Sequence, residues 1–109
     1  MSGTRKQAPR PPQHSHLLKE IAHCISAGKY RYTLHALERE NERKIDLMDA
    51  LFVLKNGYHE KSKTNYDEIF KSWKYAIRGA TIDGNHIRVI VTFSEDNLLI
   101  ITIMHVYQK

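Results

Sequence analysis

The sequence predicts an α+β domain, with three N-terminal helices packed on a three- to four-stranded antiparallel sheet. Two observations carry this expectation. Apolar residues recur at helical spacings of three and four from Leu17 to Leu54, and the pattern turns strand-like after Gly57. Residues 86–107 then concentrate 11 of the chain's 27 Leu, Ile, Val and Phe, with turn signals at Asp83-Gly84-Asn85 and Ser94-Glu95-Asp96-Asn97 dividing the apolar segments.

The elements follow in order. Residues 1–13 hold Arg5, Lys6, Arg10 and all three prolines, with no acid, and are expected to be a disordered basic tail. It serves equally as a basic arm or a solvated leader. Residues 14–109 form a single domain. Leu17, Leu18, Ile21, Cys24 and Ile25 make one apolar helical stripe that Gly28 stops, which reads Cys24 as a buried inert thiol. Lys29–Tyr32 is a short extended link. Thr33 caps a second helix over residues 34–44, with Leu34, Leu37 and Ile45 facing inward. Asp46 caps a third, whose stripe is Leu47, Ala50, Leu51, Val53 and Leu54 and whose stop is Asn56-Gly57. An edge strand is expected near residues 58–63, then strands over 73–82, 86–93 and 98–107. Two-residue turns at Asp83-Gly84 and Glu95-Asp96 would put Arg78 opposite Val89, and Val89 opposite Thr102. Arg78 and Thr102 then flank Val89 on one face, while Arg88, His86 and His105 share the other.

Composition narrows the function. The chain has 109 residues, 17 Lys+Arg against 12 Asp+Glu, and a net charge of +5. One Cys excludes a disulfide framework, no apolar stretch suits a membrane span, and no secretory signal is visible, so the expected compartment is the cytoplasm. Seven His include no His-x-x-x-His pair with an acidic partner, so neither a metal site nor a cofactor is expected. Outside the tail the charge nearly balances. What stands out is local: His35, Arg39 and Arg43 recur at i, i+4 and i+8 with Glu38 and Glu42 beside them. An imidazole moves protons near neutral pH and guanidinium holds phosphate oxygens, so this face can handle a phosphodiester. From spacing alone the pattern is more often that of a solvated helix laced by Glu–Arg pairs. Tyr30, Tyr32, Tyr66, Trp73 and Tyr75 alternate with Lys29, Arg31, Lys63, Lys71 and Lys74. Such residues either stack on bases beside phosphate contacts or anchor the edges of a small core.

The run Tyr30-Arg-Tyr-Thr-Leu-His35-Ala-Leu-Glu-Arg39-Glu-Asn-Glu-Arg43-Lys-Ile45, with Asp49-Ala-Leu, Asn56-Gly57, Arg78-Gly79 and Ile101-Thr102, resembles a small bacterial domain-of-unknown-function family. That family carries a His-Ala-x-x-Arg-x-x-x-Arg helix and is grouped with RelE-, BrnT- and MqsR-like toxins of type II toxin–antitoxin pairs. The resemblance spans about residues 17–107. It implies a RelE-like fold and a metal-independent endoribonuclease in which a ribose 2′-oxygen attacks the neighbouring phosphorus. It further implies His35 as general base or acid, Arg39 and Arg43 as phosphate ligands, Arg78 as transition-state stabiliser and Thr102 as a hydrogen-bonding residue. Arg31, Tyr32, Lys74, Arg88 and His105 would contact RNA, free or ribosome-associated, and a cognate antitoxin with a DNA-binding domain would be the protein partner. Two other classes fit the residues: a non-catalytic nucleic-acid or ribosome binder, and a module docking an acidic protein.

Overall fold

The computed structural model describes residues 9–107. Its elements run α1 (Leu17–Ser26), β1 (Tyr30–Tyr32), α2 (Leu34–Arg43), α3 (Leu47–Asn56), β2 (Tyr58–His59), a 3-10 turn (Lys61–Lys63), β3 (Asn65–Asp67), β4 (Ser72–Ala80), β5 (His86–Ser94) and β6 (Asn97–His105). The class is α+β, as expected, but the sheet is mixed and has six strands. The strand order is β1-β6-β5-β4-β2, with β3 pairing β4 further along. The link before Thr33 is itself a strand, parallel to β6, so β1 interrupts the helices and they do not form one N-terminal block. The edge strand expected over residues 58–63 shrinks to β2, because the chain bends at once into the 3-10 turn.

The helix caps are those the sequence signals. Thr33 Oγ1 accepts from Ala36 N at 3.2 Å, and Asp46 Oδ1 accepts from Met48 N at 2.8 Å. Buried residues of α1 and α3, among them Leu17, Ile21, Cys24, Val53 and Leu54, pack on one sheet face formed by Ile77, Ile87, Val89, Val91, Ile100 and Ile103. Cys24 is buried there and burial pushes its thiol up, as suits an inert side chain. Leu18, placed on the same stripe by its spacing, stays exposed.

Helix α2 departs from the expectation. Leu34 is 74% and Leu37 41% exposed, whereas Ala36 is fully buried and Ile45 is buried as expected. The reason is how close α2 lies to its neighbour. It runs along the outer edge of β6, where Thr33 Oγ1 donates to Ile101 O at 3.1 Å and Arg43 Nη1 to Ile103 O at 2.7 Å. Only a small side chain fits between a helix and a strand edge held that near.

The expected tail also changes. Residues 1–8 lie outside the described residues. Residues 9–13 have no regular structure but are tied to the sheet: Trp73 Nε1 donates to Pro11 O at 2.7 Å, and Arg10 pairs with Glu68 at 2.8 Å.

Candidate functional site

Alternate residues of β4, β5 and β6 build the second sheet face, and none of the helices among the described residues lies across it. Arg78, Arg88, Ile90, Leu99, Thr102 and Met104 stay half-buried there, while their neighbours on the packed face are buried. Register decides which side chains meet. Arg78 pairs with Arg88, and Arg88 with Met104; Ala76 pairs with Ile90, and Ile90 with Thr102.

This corrects the register expected from two-residue turns. The β4–β5 loop has three residues, Ile82-Asp83-Gly84, closed by Thr81 N to Asn85 O at 2.7 Å and by Gly84 N to Thr81 O at 2.9 Å. Gly84 takes a φ of +87°, the left-handed conformation a three-residue hairpin loop places on its last residue. One extra loop residue moves Arg78 from Val89 to Arg88, and Val89 to the packed face. The second turn is two residues as expected, with Ser94 opposite Asn97, but a bulge at Ile90/Val91 shifts β6 by one. Arg78 and Thr102 therefore share a face after all, and Arg88 and His86 join them. His105 does not. It pairs with the buried Ile87, and its Nε2 lies 3.0 Å from Arg43 O.

Two like charges placed directly opposite repel, and the chain answers with Glu60. Its Oε1 lies 2.5 Å from Arg88 Nε, and its Oε2 lies 3.1 Å from Arg88 Nη2 and 3.4 Å from Arg78 Nη1. The three side chains are 11%, 16% and 22% exposed for Glu60, Arg88 and Arg78. The hydrogen bond from Arg88 is the main cause that holds the Glu60 carboxyl below the usual carboxylate range, against the opposing pull of burial. The cluster carries one net positive charge. Arg78 Nε and His86 Nδ1 are buried without a hydrogen-bond partner among the described residues.

Glycine makes this possible. A Cβ on Gly57 would lie 2.5 Å from Arg78 O, and one on Gly79 would lie 3.0 Å from Gly57 Cα. The two glycines let the end of α3 touch β4, which delivers Tyr58 opposite Arg78 and sends Glu60 N to Ala76 O at 2.8 Å.

The same face continues toward the other end of the strands. Arg31 pairs with Leu99, and Leu99 with Thr92. Lys74 lies on this face by alternation from buried Tyr75 and pairs with Asp67 at 2.8 Å. Arg31 is exposed and has no ion pair among the described residues. Arg31, Lys74, Arg78 and Arg88 thus share one face.

The residues singled out on α2 do not join that cluster by any hydrogen bond or ion pair among the described residues. His35 is exposed, Arg39 pairs with Glu42 of its own helix, and Arg43 holds the edge of β6. Glu40 Oε2 accepts from Leu47 N at 3.2 Å on the α3 side of the helix, so the flank bearing Arg39 and His35 turns away from α3. Tyr32 belongs to the packed side. Its hydroxyl donates to Leu47 O at 3.0 Å, and burial pushes the phenol well above its usual range. Trp73 and Tyr66 pack edge to face at 5.2 Å, and buried Tyr75 accepts from His14 N at 2.9 Å, so these aromatics anchor the core.

Sequence spacing did not single out Glu60 or Tyr58. Alternation in a strand starting at Tyr58 puts the two on one face, but the partner of that strand is fixed only by topology. Among the described residues no group of three or more His, Cys, Asp or Glu is arranged to hold a metal, and no helix is long and apolar enough to cross a membrane. No curated protein matches the chain. Residues 32–105, which run from the last residue of β1 through β6 and leave out α1, match the family described as Domain of unknown function (DUF4258), and the chain belongs to that family.

Proposed function

We propose that this protein acts on RNA laid across the open sheet face, as a metal-independent endoribonuclease and the toxin of a type II toxin–antitoxin pair. One observation carries the reading: Arg31, Lys74, Arg78 and Arg88 occupy a face that no helix among the described residues covers, and two of these guanidiniums sit side by side. Paired guanidiniums suit a phosphodiester, whose charge rises as the 2′-oxygen bonds to phosphorus and the 5′-oxygen departs. The 2′-hydroxyl gives its proton to a base, the 5′-oxygen receives one from an acid, and a 2′,3′-cyclic phosphate remains.

The geometry redistributes the roles that the resemblance implies. Arg88 joins Arg78 at the phosphate, and Thr102 lies one pair further along. Arg43 keeps α2 in place. His35 and Arg39 form the wall along β6, and Glu60 stands within the arginine pair, so His35 and Glu60 are competing proton carriers. A second reading, RNA binding without cleavage, is favoured by one observation: His35 makes no hydrogen bond to the arginine pair or to Glu60. The reading also includes a cytoplasmic setting, RNA either free or ribosome-associated, and an antitoxin whose acidic surface covers the basic face.

The test is cleavage of labelled RNA in the presence of EDTA, run beside growth on induction. Wild type should cleave RNA and arrest growth, and Arg78→Ala and Arg88→Ala should lose both, each by at least about a hundredfold in rate. His35→Ala and Glu60→Gln identify the proton carrier. Binding that depends on Arg78 without any cleavage would leave the non-catalytic reading, and no binding at all would remove both.

A further inference from the structure

Along the open face, away from the arginine pair, lies a groove of about 390 Å³ lined by Thr33, Phe70, Ser72, Lys74, Leu99 and Ile101 among others. Its wall is unusual for a small domain. Phe70 is 75% exposed, where an aromatic ring gains nothing from the core. Yet its backbone is fixed: Asp67 Oδ1 accepts from both Ile69 N and Phe70 N, at 2.9 and 3.0 Å, and Lys71 follows at a φ of +54°. Leu99 and Ile101 give the groove an apolar floor, Ser72 offers a hydroxyl with no side-chain partner among the described residues, Lys74 is paired with Asp67, and Arg31, beside Leu99, sets positive charge at the rim.

We infer that this groove is a nucleobase subsite, in which one unpaired base of the bound RNA stacks on Phe70 and is read at its edge by Ser72. The inference rests on the RNA reading above. A planar heteroaromatic ring fits an aromatic wall on a fixed backbone with an apolar floor, and the Arg31 guanidinium at the rim matches a phosphate next to such a base. From Arg88 to Thr92 the strand advances roughly 13 Å, a span that a single strand of a few nucleotides crosses. The phosphate held by the arginine pair and the base held by Phe70 then belong to different nucleotides. Selectivity resides in a residue remote from the chemistry.

The experiment uses short single-stranded RNAs carrying one fluorescent adenine analogue, or one abasic site, at each position in turn. The full-length wild-type protein is compared with Phe70→Ala, Phe70→Trp and Arg88→Ala. Stacking should quench the analogue at one position only, and an abasic site there should weaken binding about tenfold. Phe70→Ala should lose the quenching and the same tenfold in affinity, and Phe70→Trp should restore both. Arg88→Ala should weaken binding at every position and leave the position of quenching unchanged. Binding that needs Arg88 but is indifferent to Phe70 and to the abasic site overturns the subsite alone. Absence of RNA binding in the wild type overturns the subsite together with the RNA reading. A protein or peptide that seats on Phe70 while RNA does not also overturns it.

Discussion

The two faces of this sheet come from alternate residues of the same strands, and they are stabilised in opposite ways. The packed face is apolar at its centre: Ile77, Val89 and Ile103 meet side by side under α1 and α3. One step along, Arg78, Arg88 and Met104 meet on the open face, and a carboxylate delivered from outside the three strands holds the charged pair together. Non-directional burial secures the first row. The second row depends on geometry and fails if its single counter-charge is removed. Substitutions should therefore separate cleanly into those that cost stability and those that cost recognition.

The largest loss should come from the packed face. Ile77→Ala removes a fully buried side chain and should cost roughly 2–5 kcal/mol in urea unfolding, with RNA affinity unchanged for the fraction still folded. Arg88→Ala should show the reverse, a modest stability change with a large loss of binding. Gly57→Ala tests the join between the faces. Its Cβ would meet the Arg78 carbonyl at 2.5 Å, so it should cost about 1–3 kcal/mol and also weaken RNA binding, because Glu60 and Arg78 move apart. If binding survived that substitution, the glycine contact would not be what positions the cluster.

Adjacent residues on opposite faces also predict a two-step acid response. Burial lowers the value of His59 from an ordinary 6.5, so protonation resists folding and stability falls as pH drops below that point. Glu60 is lowered from an ordinary 4.5, chiefly by the hydrogen bond from Arg88. Its contribution is complete above that pH and is lost as pH falls through the lowered folded value. Glu60→Gln should shrink the second step, to which Asp67, held down by its hydrogen bond from Lys74, also contributes, and keep the first in a pH series of denaturant melts. On α2 the expected effects are smaller. Arg43→Ala breaks a hydrogen bond to Ile103 O and should cost about 1 kcal/mol, whereas Arg39→Ala removes only an exposed pair within the helix and should stay within about 0.5 kcal/mol. Equal costs would mean that α2 is not anchored at β6.

What the sequence shows and hides follows from the same contrast. Helix positions are local, so the caps at Thr33 and Asp46, the stop at Asn56-Gly57 and the buried Cys24 were all legible. So was the second hairpin turn. The pairing of Arg78 with Arg88 was not, because it depends on one extra loop residue before Asn85, and the place of Thr102 depends on one bulge in β6; each exchanges the faces. Glu60 was invisible for a different reason. It reaches the arginines across 18 and 28 residues of chain, through a close approach of Gly57 and Gly79 that no spacing rule encodes. The spacing of His35, Arg39 and Arg43 was real, but a shared helix face says nothing about what that face touches.

The most direct test of the open face as the RNA surface is amide chemical-shift mapping of the full-length protein during titration with a short single-stranded RNA at low salt. Shifts concentrated at Arg31, Arg78, Arg88, Thr92 and Thr102, with α1 and α3 unmoved, are the predicted result. Shifts confined to α1 and α3, or none at all, would contradict it.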